Sequence, residues 1–312
     1  MTARAFLGLD VGGTTTSAGL VTAQGRVVAA RRRPTHGPDG GDAVPRLLAL
    51  ATEVAGLARP RGYRLAGVGA GVPGIVDGAT GTIGGEAHNV PELGGVPLAR
   101  LLTRGLGVPA TVDNDVNALA LGEWMWGAGR GARSLVLLAL GTGVGGGIVL
   151  DGRLYRGAGG FGGELGHVPV KLDGRACVCG ARGCLKAYVA GPDLSAEGSR
   201  RLGRPVDAAE LFRLAAGGDA TAAAVVDEAL EALAAGLTII VNGLNPERLL
   251  LAGGIARALA PRAADLRARL ARRAYAGALA TTRLRFLALD KRTTTRGGAA
   301  LARHAALSRA GA

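Results

Sequence analysis

Apolar positions along the chain follow two periods. In "FLGLDVGGTTTSAGLV", from Phe6 to Val21, an apolar strand runs into a turn of glycine and threonine and out into a second strand. "LVLLALGTGVGGGIVLDGRLY", from Leu135 to Tyr155, repeats that plan. Two such stretches, about 130 residues apart, suggest a duplicated fold. Between them, in "VDNDVNALALGEW", Asp113, Asn114 and Asp115 close a short strand and open a helix. The pattern from Asp219 to Asn242 reads as one long helix, stopped by "NGLNP" and followed by the apolar strand "RLLLAGG". Strands that alternate with helices in this way predict an α/β protein.

Composition narrows the class. A chain of 312 residues with 48% apolar content is long enough for two packed domains. No uninterrupted apolar run reaches membrane-span length, so no membrane partner is expected. "MTARAFLGLDVGG" enters a strand at once, which predicts an uncleaved, cytoplasmic protein. The formal charge of +13 changes the picture less than its size suggests. Of 37 basic residues three are lysines, leaving 34 arginines, and these are scattered. The densest stretch, "PRAADLRARLARRAY", reads as one helix with a solvated face. A basic surface attracts phosphates, yet no DNA-binding helical segment precedes the first strand, so no nucleic-acid partner is expected.

The two glycine turns carry the first candidate chemistry. Glycine lets backbone N–H groups approach a phosphate, and threonine hydroxyls add donors. Neither turn is a P-loop, because no GK[ST] follows. Each could be an ordinary hairpin; as a pair they suggest one phosphate loop per half, closing around a nucleotide. Asp10, ending the first strand, could hold magnesium through water. Asp113, Asn114 and Asp115 could simply cap a helix, but a carboxylate at the mouth of such a cleft could also accept a proton from a substrate hydroxyl.

All three cysteines, Cys177, Cys179 and Cys184, fall in "GELGHVPVKLDGRACVCGARGCLKAY". An odd number cannot pair completely within one chain. Gly180 and Gly183 let the loop fold tightly, and His167 supplies a fourth donor for a structural zinc site.

Together these residues resemble the ROK family, named for repressors, open reading frames and kinases. The resemblance runs from "LGLDVGGTTTSAG" through "GVPGIVDGATGTI" and "VDNDVNALALGE" to "GTGVGGGIVLDGRLYRGAGGFGGELGH" and "CVCGARGCL". It implies an α/β, actin-like ATPase (ribonuclease H-like) fold with two lobes around a nucleotide and sugar cleft. Asp10, Gly12, Gly13, Thr14 and Thr15 would line the first phosphate loop, and Gly141, Thr142 and Gly143 the second. Gly253 and Gly254 fit the adenosine-side turn. Asp115 matches the catalytic base, and Asn114 its sugar-gripping neighbour. Asn89, in "AHNVPEL", falls at a sugar-binding asparagine, while Glu164 and His167 match sugar contacts. His167, Cys177, Cys179 and Cys184 match the zinc ligands, so His167 would serve zinc with one ring nitrogen and sugar with the other.

The organisation expected is an N-terminal lobe over 1–111, a larger lobe over 112–296 carrying the zinc knuckle, and a last helix over 297–308 packing back on the first. The implied activity is ATP-dependent phosphorylation of a hexose at its C6 hydroxyl, with ATP, Mg2+ and structural Zn2+ as cofactors and a homodimer as the assembly. Glucose is the default substrate, and polyphosphate an alternative donor. The alternative class is a sugar-binding regulator with little turnover. One departure bears on the sugar. The family reads "GCLE" where this chain reads "GCLK", so Lys186 replaces a glutamate that accepts hydrogen bonds from hydroxyls near C1 and C2. Lysine only donates. It could lie on the surface with its head in water, pair with Glu164, or alter substrate choice toward an amino sugar such as kanosamine.

Overall fold

The computed structural model describes residues 2–85, 87, 89–289 and 291–310. Within the "AHNVPEL" segment, His88 lies outside the described residues. The strands are β1 (Ala3–Val11), β2 (Thr15–Thr22), β3 (Val27–Pro34), β4 (Tyr63–Val72), β5 (Ala110–Asn114), β6 (Ser134–Leu140), β7 (Val144–Leu150), β8 (Arg153–Leu154), β9 (Arg248–Ala252) and β10 (Arg283–Phe286). The helices are α1 (Ala43–Gly56), α2 (Leu98–Leu106), α3 (Asp115–Trp126), α4 (Lys186–Val189), α5 (Gly191–Leu202), α6 (Ala208–Ala216), α7 (Ala220–Leu244), α8 (Gly254–Leu259), α9 (Ala263–Ala271), α10 (Ala276–Thr281) and α11 (Lys291–Ala310). Among the described residues no helix is long and apolar enough to cross a membrane.

The chain forms two compact units, each built on a five-stranded sheet. One unit comprises Met1–Gly131, Gly147–Gly162 and Leu289–Ala312; the other comprises Ala132–Gly146 and Gly163–Ala288. The sheets run β3-β2-β1-β4-β5 and β10-β9-β6-β7-β8. Read from opposite ends, these are one order: a glycine-turn hairpin whose first strand is followed by two further strands. The repeat of Phe6–Val21 at Leu135–Tyr155 is thus a repeat of topology. Within the first sheet β1, β4 and β5 are parallel, and β2 and β3 are antiparallel additions. Edge strand β3 ends in the exposed run Arg31–Arg33, a charged edge that discourages further pairing.

Apolar periodicity explains what covers the first sheet. Leu47, Leu50 and Val54 of α1 and Leu98 and Leu102 of α2 are buried in one cluster with Leu7, Leu9 and Leu20 of the strands. On the opposite face α11 approaches so closely that side chains are excluded at the contact. A Cβ on Gly8 would lie 1.8 Å from the Thr295 carbonyl oxygen, and one on Gly69 would lie 2.0 Å from that of Gly298. The expected helix over 297–308 is therefore longer, beginning at Lys291, and it rests on β1 and β4 backbone to backbone.

The first unit does not stop at Thr111, where the sequence suggested a boundary, but continues to Gly131. The reason lies in α3. Its residues Asn117 through Glu123 are all buried. A Cβ on Gly122 would press on Gly297 of α11, and one on Gly147 of β7 would press on Ala120 of α3. A helix enclosed in this way belongs to the layer that encloses it. The arginine-rich stretch also departs from a single solvated helix. Regular α-helix ends at Ala271, and Arg269 and Arg273 pair with Asp227 and Glu231 of α7.

Candidate active site

In the first unit the carboxyl ends of three parallel strands gather the predicted carboxylates. Asp10 of β1 is registered with Gly71 of β4, and Gly71 with Asp113 of β5. Chain direction then turns into α3. Asn114 is its N-cap, and its side-chain oxygen accepts from the backbone N–H of Val116 at 2.9 Å and of Asn117 at 3.3 Å. Asn114 Nδ2 donates one hydrogen to the Gly74 carbonyl at 3.1 Å and has a second to offer. Asp115 follows as the first helical residue, half-buried, with Oδ1 accepting from the Val116 N–H at 2.9 Å. A carboxylate in the first helical turn is stabilised in its charged form by the helix dipole.

The first glycine turn joins β1 to β2. Gly12 N–H donates to the Thr15 carbonyl at 3.0 Å, which closes the turn around Gly13 and Thr14. Gly13 abuts Asn89: a Cβ there would lie 3.2 Å from the Asn89 Cβ. The structure thus brings together Asp10, the Gly12–Thr15 turn, Asn89, Asn114 and Asp115 within one unit.

Two residues that sequence reading missed brace this group. Thr35, 1% exposed, donates from Oγ1 to the Gly12 carbonyl at 2.6 Å and from its backbone N–H to the Thr14 carbonyl at 3.1 Å. Arg156 donates from Nε to Asp113 Oδ2 at 2.7 Å. Asp113 is almost fully buried, and its other oxygen accepts from the Asn114 N–H and Asn117 Nδ2. The charge that stands two residues before Asp115 is therefore neutralised.

In the second unit, the Gly141–Gly143 turn closes through the Gly141 N–H donating to the Gly143 carbonyl at 2.9 Å. Gly253 meets the end of β6. Its φ is +100°, and a Cβ there would fall 2.4 Å from the Leu140 carbonyl oxygen, so glycine alone suits the position. Gly254 opens α8, and a Cβ added there would meet open space. The Glu164–His167 segment lies beside the same turn, since a Cβ on Gly166 would fall 2.1 Å from the Val144 carbonyl oxygen. Glu164 is half-exposed, with Oε2 4.0 Å from His167 Nε2.

The ligand atoms of His167, Cys177, Cys179 and Cys184 lie within 4.8 Å of one another. Cys177 Sγ is 3.5 Å from His167 Nδ1, and Cys179 Sγ is 3.7 Å from Cys184 Sγ. Tetrahedral zinc with bonds of about 2.0–2.3 Å separates its donors by roughly 3.5–3.8 Å. The donor set and its spacing fit that ion. The Ala181 N–H beside Cys179 lowers its thiol to about 7, whereas burial pushes Cys184 up to about 12. A cation at the centre favours both thiolates.

Lys186 opens α4 directly after this loop. Its Nζ donates to Asp193 Oδ2 of α5 at 2.9 Å, with only 15% of the lysine side chain exposed. A half-buried ion pair thus stands where the sequence offered a solvated head or a bond to Glu164. α5 itself begins at Gly191, whose N–H donates to the Gly141 carbonyl at 2.8 Å. The cysteine loop, Lys186 and the second glycine turn are consequently linked through two short helices.

Comparison with known proteins agrees with this arrangement. The family model described as "ROK family" matches residues 6–305. A glucokinase of Thermotoga maritima is 37% identical over 268 residues, covering 81% of this chain and 83% of that relative. An N-acetyl-D-glucosamine kinase of Photobacterium profundum is 32% identical over 260 residues, covering 80% and 84%. Among solved structures, the ROK hexokinase from Thermus thermophilus superimposes with a TM-score of 0.85 at 34% identity, covering 98% of this chain and all of that one. The two sheets of equal order are those of the α/β, actin-like ATPase fold that the sequence implied. The chain belongs to the ROK family.

Proposed function

We infer that this chain is an ATP-dependent sugar kinase and that it phosphorylates a hexose or hexose derivative at the C6 hydroxyl. The observation that carries the reading is Asp115. It is the first residue of α3, Asp113 two positions before it is paired with Arg156, and it shares a unit with the Gly12–Thr15 turn. In this reading Asp115 orients the sugar hydroxyl and accepts its proton as the oxygen attacks the γ-phosphorus. Asn114 and Asn89 hold the sugar, Glu164 accepts from a further hydroxyl, and His167, with Nδ1 toward the zinc, donates to another from Nε2. The Gly12–Thr15 and Gly141–Gly143 turns line the phosphates; the Gly12 and Gly141 N–H groups close the turns, and the backbone N–H groups of Gly13, Thr14, Thr142 and Gly143 stabilise charge on the transferring phosphoryl group. Gly253 and Gly254 border the adenosine. Asp10 would hold Mg2+ through water, and that ion, when bound, offsets phosphate charge. His167, Cys177, Cys179 and Cys184 would hold zinc as a brace for the Glu164–His167 segment.

ADP release measured across a panel of hexoses tests this directly. Asp115→Asn keeps the shape and removes the base. Turnover is expected to fall by about two to four orders of magnitude with little change in sugar affinity. Near-normal turnover would overturn the assignment. A regulatory role without turnover has less support, because the chain retains Asp115 and both glycine turns and its curated relatives named above are kinases.

A further inference from the structure

The unit that holds Asp115 also contains a cavity of about 680 Å3 that takes no part in the proposed reaction. Phe6, Ala23, Ala306 and Leu307 supply its apolar wall, and Arg4, Arg26 and Arg303 stand around it. A second cavity of about 490 Å3 shares Ala23, Gln24 and Arg303 with the first and adds Trp126 and Arg130. Among the described residues, no aspartate or glutamate lines either one. Among the described residues, none of these four arginines forms an ion pair with a carboxylate. Arg26 donates to the Tyr63 hydroxyl at 3.1 Å, and the Arg303 guanidinium lies 5.8 Å from the Trp126 ring centroid.

Arg303 is the telling residue. It is partly buried, and burial alone lowers its pKa, with no anion acting in the opposite direction. Withdrawing a cation from water without a counter-charge is unfavourable. Abundance of arginine does not account for it. The other unit has a cavity of about 640 Å3 lined by Arg201, Arg269 and Arg273. There they are paired with Glu228, Asp227 and Glu231 respectively. In one cavity arginine charge is answered by the protein; in the other it is left for something else.

We propose that the Arg4–Arg26–Arg303 cavity binds an organic anion, a phosphate or carboxylate head carried on a flat apolar body. The guanidinium fork matches either head in a bidentate manner. Phe6, Leu307 and Ala306 receive the body, and the volume suits a ligand of metabolite size. Arg303, Ala306 and Leu307 all lie on α11, and Gly297 of the same helix rests against the Ala118 carbonyl of α3. An occupant thus touches the helix that supports the one beginning at Asp115.

Isothermal titration of the intact protein with phenyl phosphate, benzoate, inorganic phosphate and phenol tests this. Phenyl phosphate or benzoate is expected to bind about tenfold more tightly than inorganic phosphate or phenol, and the stronger of the two identifies the head. Arg303→Gln should weaken binding by about tenfold and exposed Arg4→Gln by roughly threefold. Ala306→Trp, which fills the cavity, should remove binding. Asp115→Asn should leave it unchanged, which separates this site from the proposed sugar site. If Arg303→Gln fails to fold, Arg4→Gln and Ala306→Trp decide. Equal affinity for phenyl phosphate and phenol, or binding that survives Ala306→Trp, would overturn the proposal.

Discussion

Lys186 shows how one residue can redirect an experiment. The resemblance places it where a sugar-contacting glutamate is usual, and the structure ties its head to Asp193. Simply restoring the acid would set two carboxylates against each other in a half-buried place. Lys186→Glu alone is therefore expected to lower the melting temperature. Paired with Asp193→Asn, it should raise glucose kcat/KM by about tenfold or more, the value of one recovered hydrogen-bonding contact. Steady-state kinetics on glucose check this; an efficient wild type that the double change leaves untouched would reduce Lys186 to a bystander. Residues of this kind differ in how far the sequence reveals them. Asp115 was legible because its neighbours form a strand-to-helix signature. Arg156 was not, since it lies among glycines with no period of its own and its partner is 43 residues away. Thr35 was hidden for the same reason, bonding to a turn 23 residues earlier.

Among the elements, the cysteine loop carries the clearest prediction. It contains little regular structure between Leu165–His167 and α4, so its shape depends on what its side chains hold. Purified protein is expected to contain about one zinc per chain, as four donors make one closed site. Chelation should expose the amides of residues 163–188 to hydrogen exchange and weaken sugar binding more than nucleotide binding. Protein prepared without chelators and lacking zinc would refute the assignment. The hairpins, the long helix near 219–242 and the strand after it were legible because each is set by local periodicity and stop signals. The span of α3 was legible too, but not its allegiance. A helix buried along one continuous stretch has no polar face to say which layer it joins.

For the whole molecule, the same limit explains the misplaced boundary at Thr111. Sequence patterns describe neighbours along the chain, whereas the first unit draws on three separated segments, the last beginning at Leu289. Its integrity hangs on α11, seated on Gly8 and Gly69 without intervening side chains. Gly298→Leu should unseat that helix, because a Cβ there already falls 2.6 Å from the Leu9 carbonyl oxygen. Hydrogen exchange is expected to show lost protection in β1, β4 and α3, with β6 and β9 retaining theirs. Uniform loss throughout the chain would show that the units do not open separately. The seating of α11 also fixes an order of events at the ribosome. Strands β1 and β4 are synthesised early, but the helix that covers them is translated only after residue 290. At roughly 5–20 residues per second, that leaves their bare glycine face waiting for tens of seconds. The first unit therefore closes its sheet only after the second unit's strands and helices have already left the ribosome.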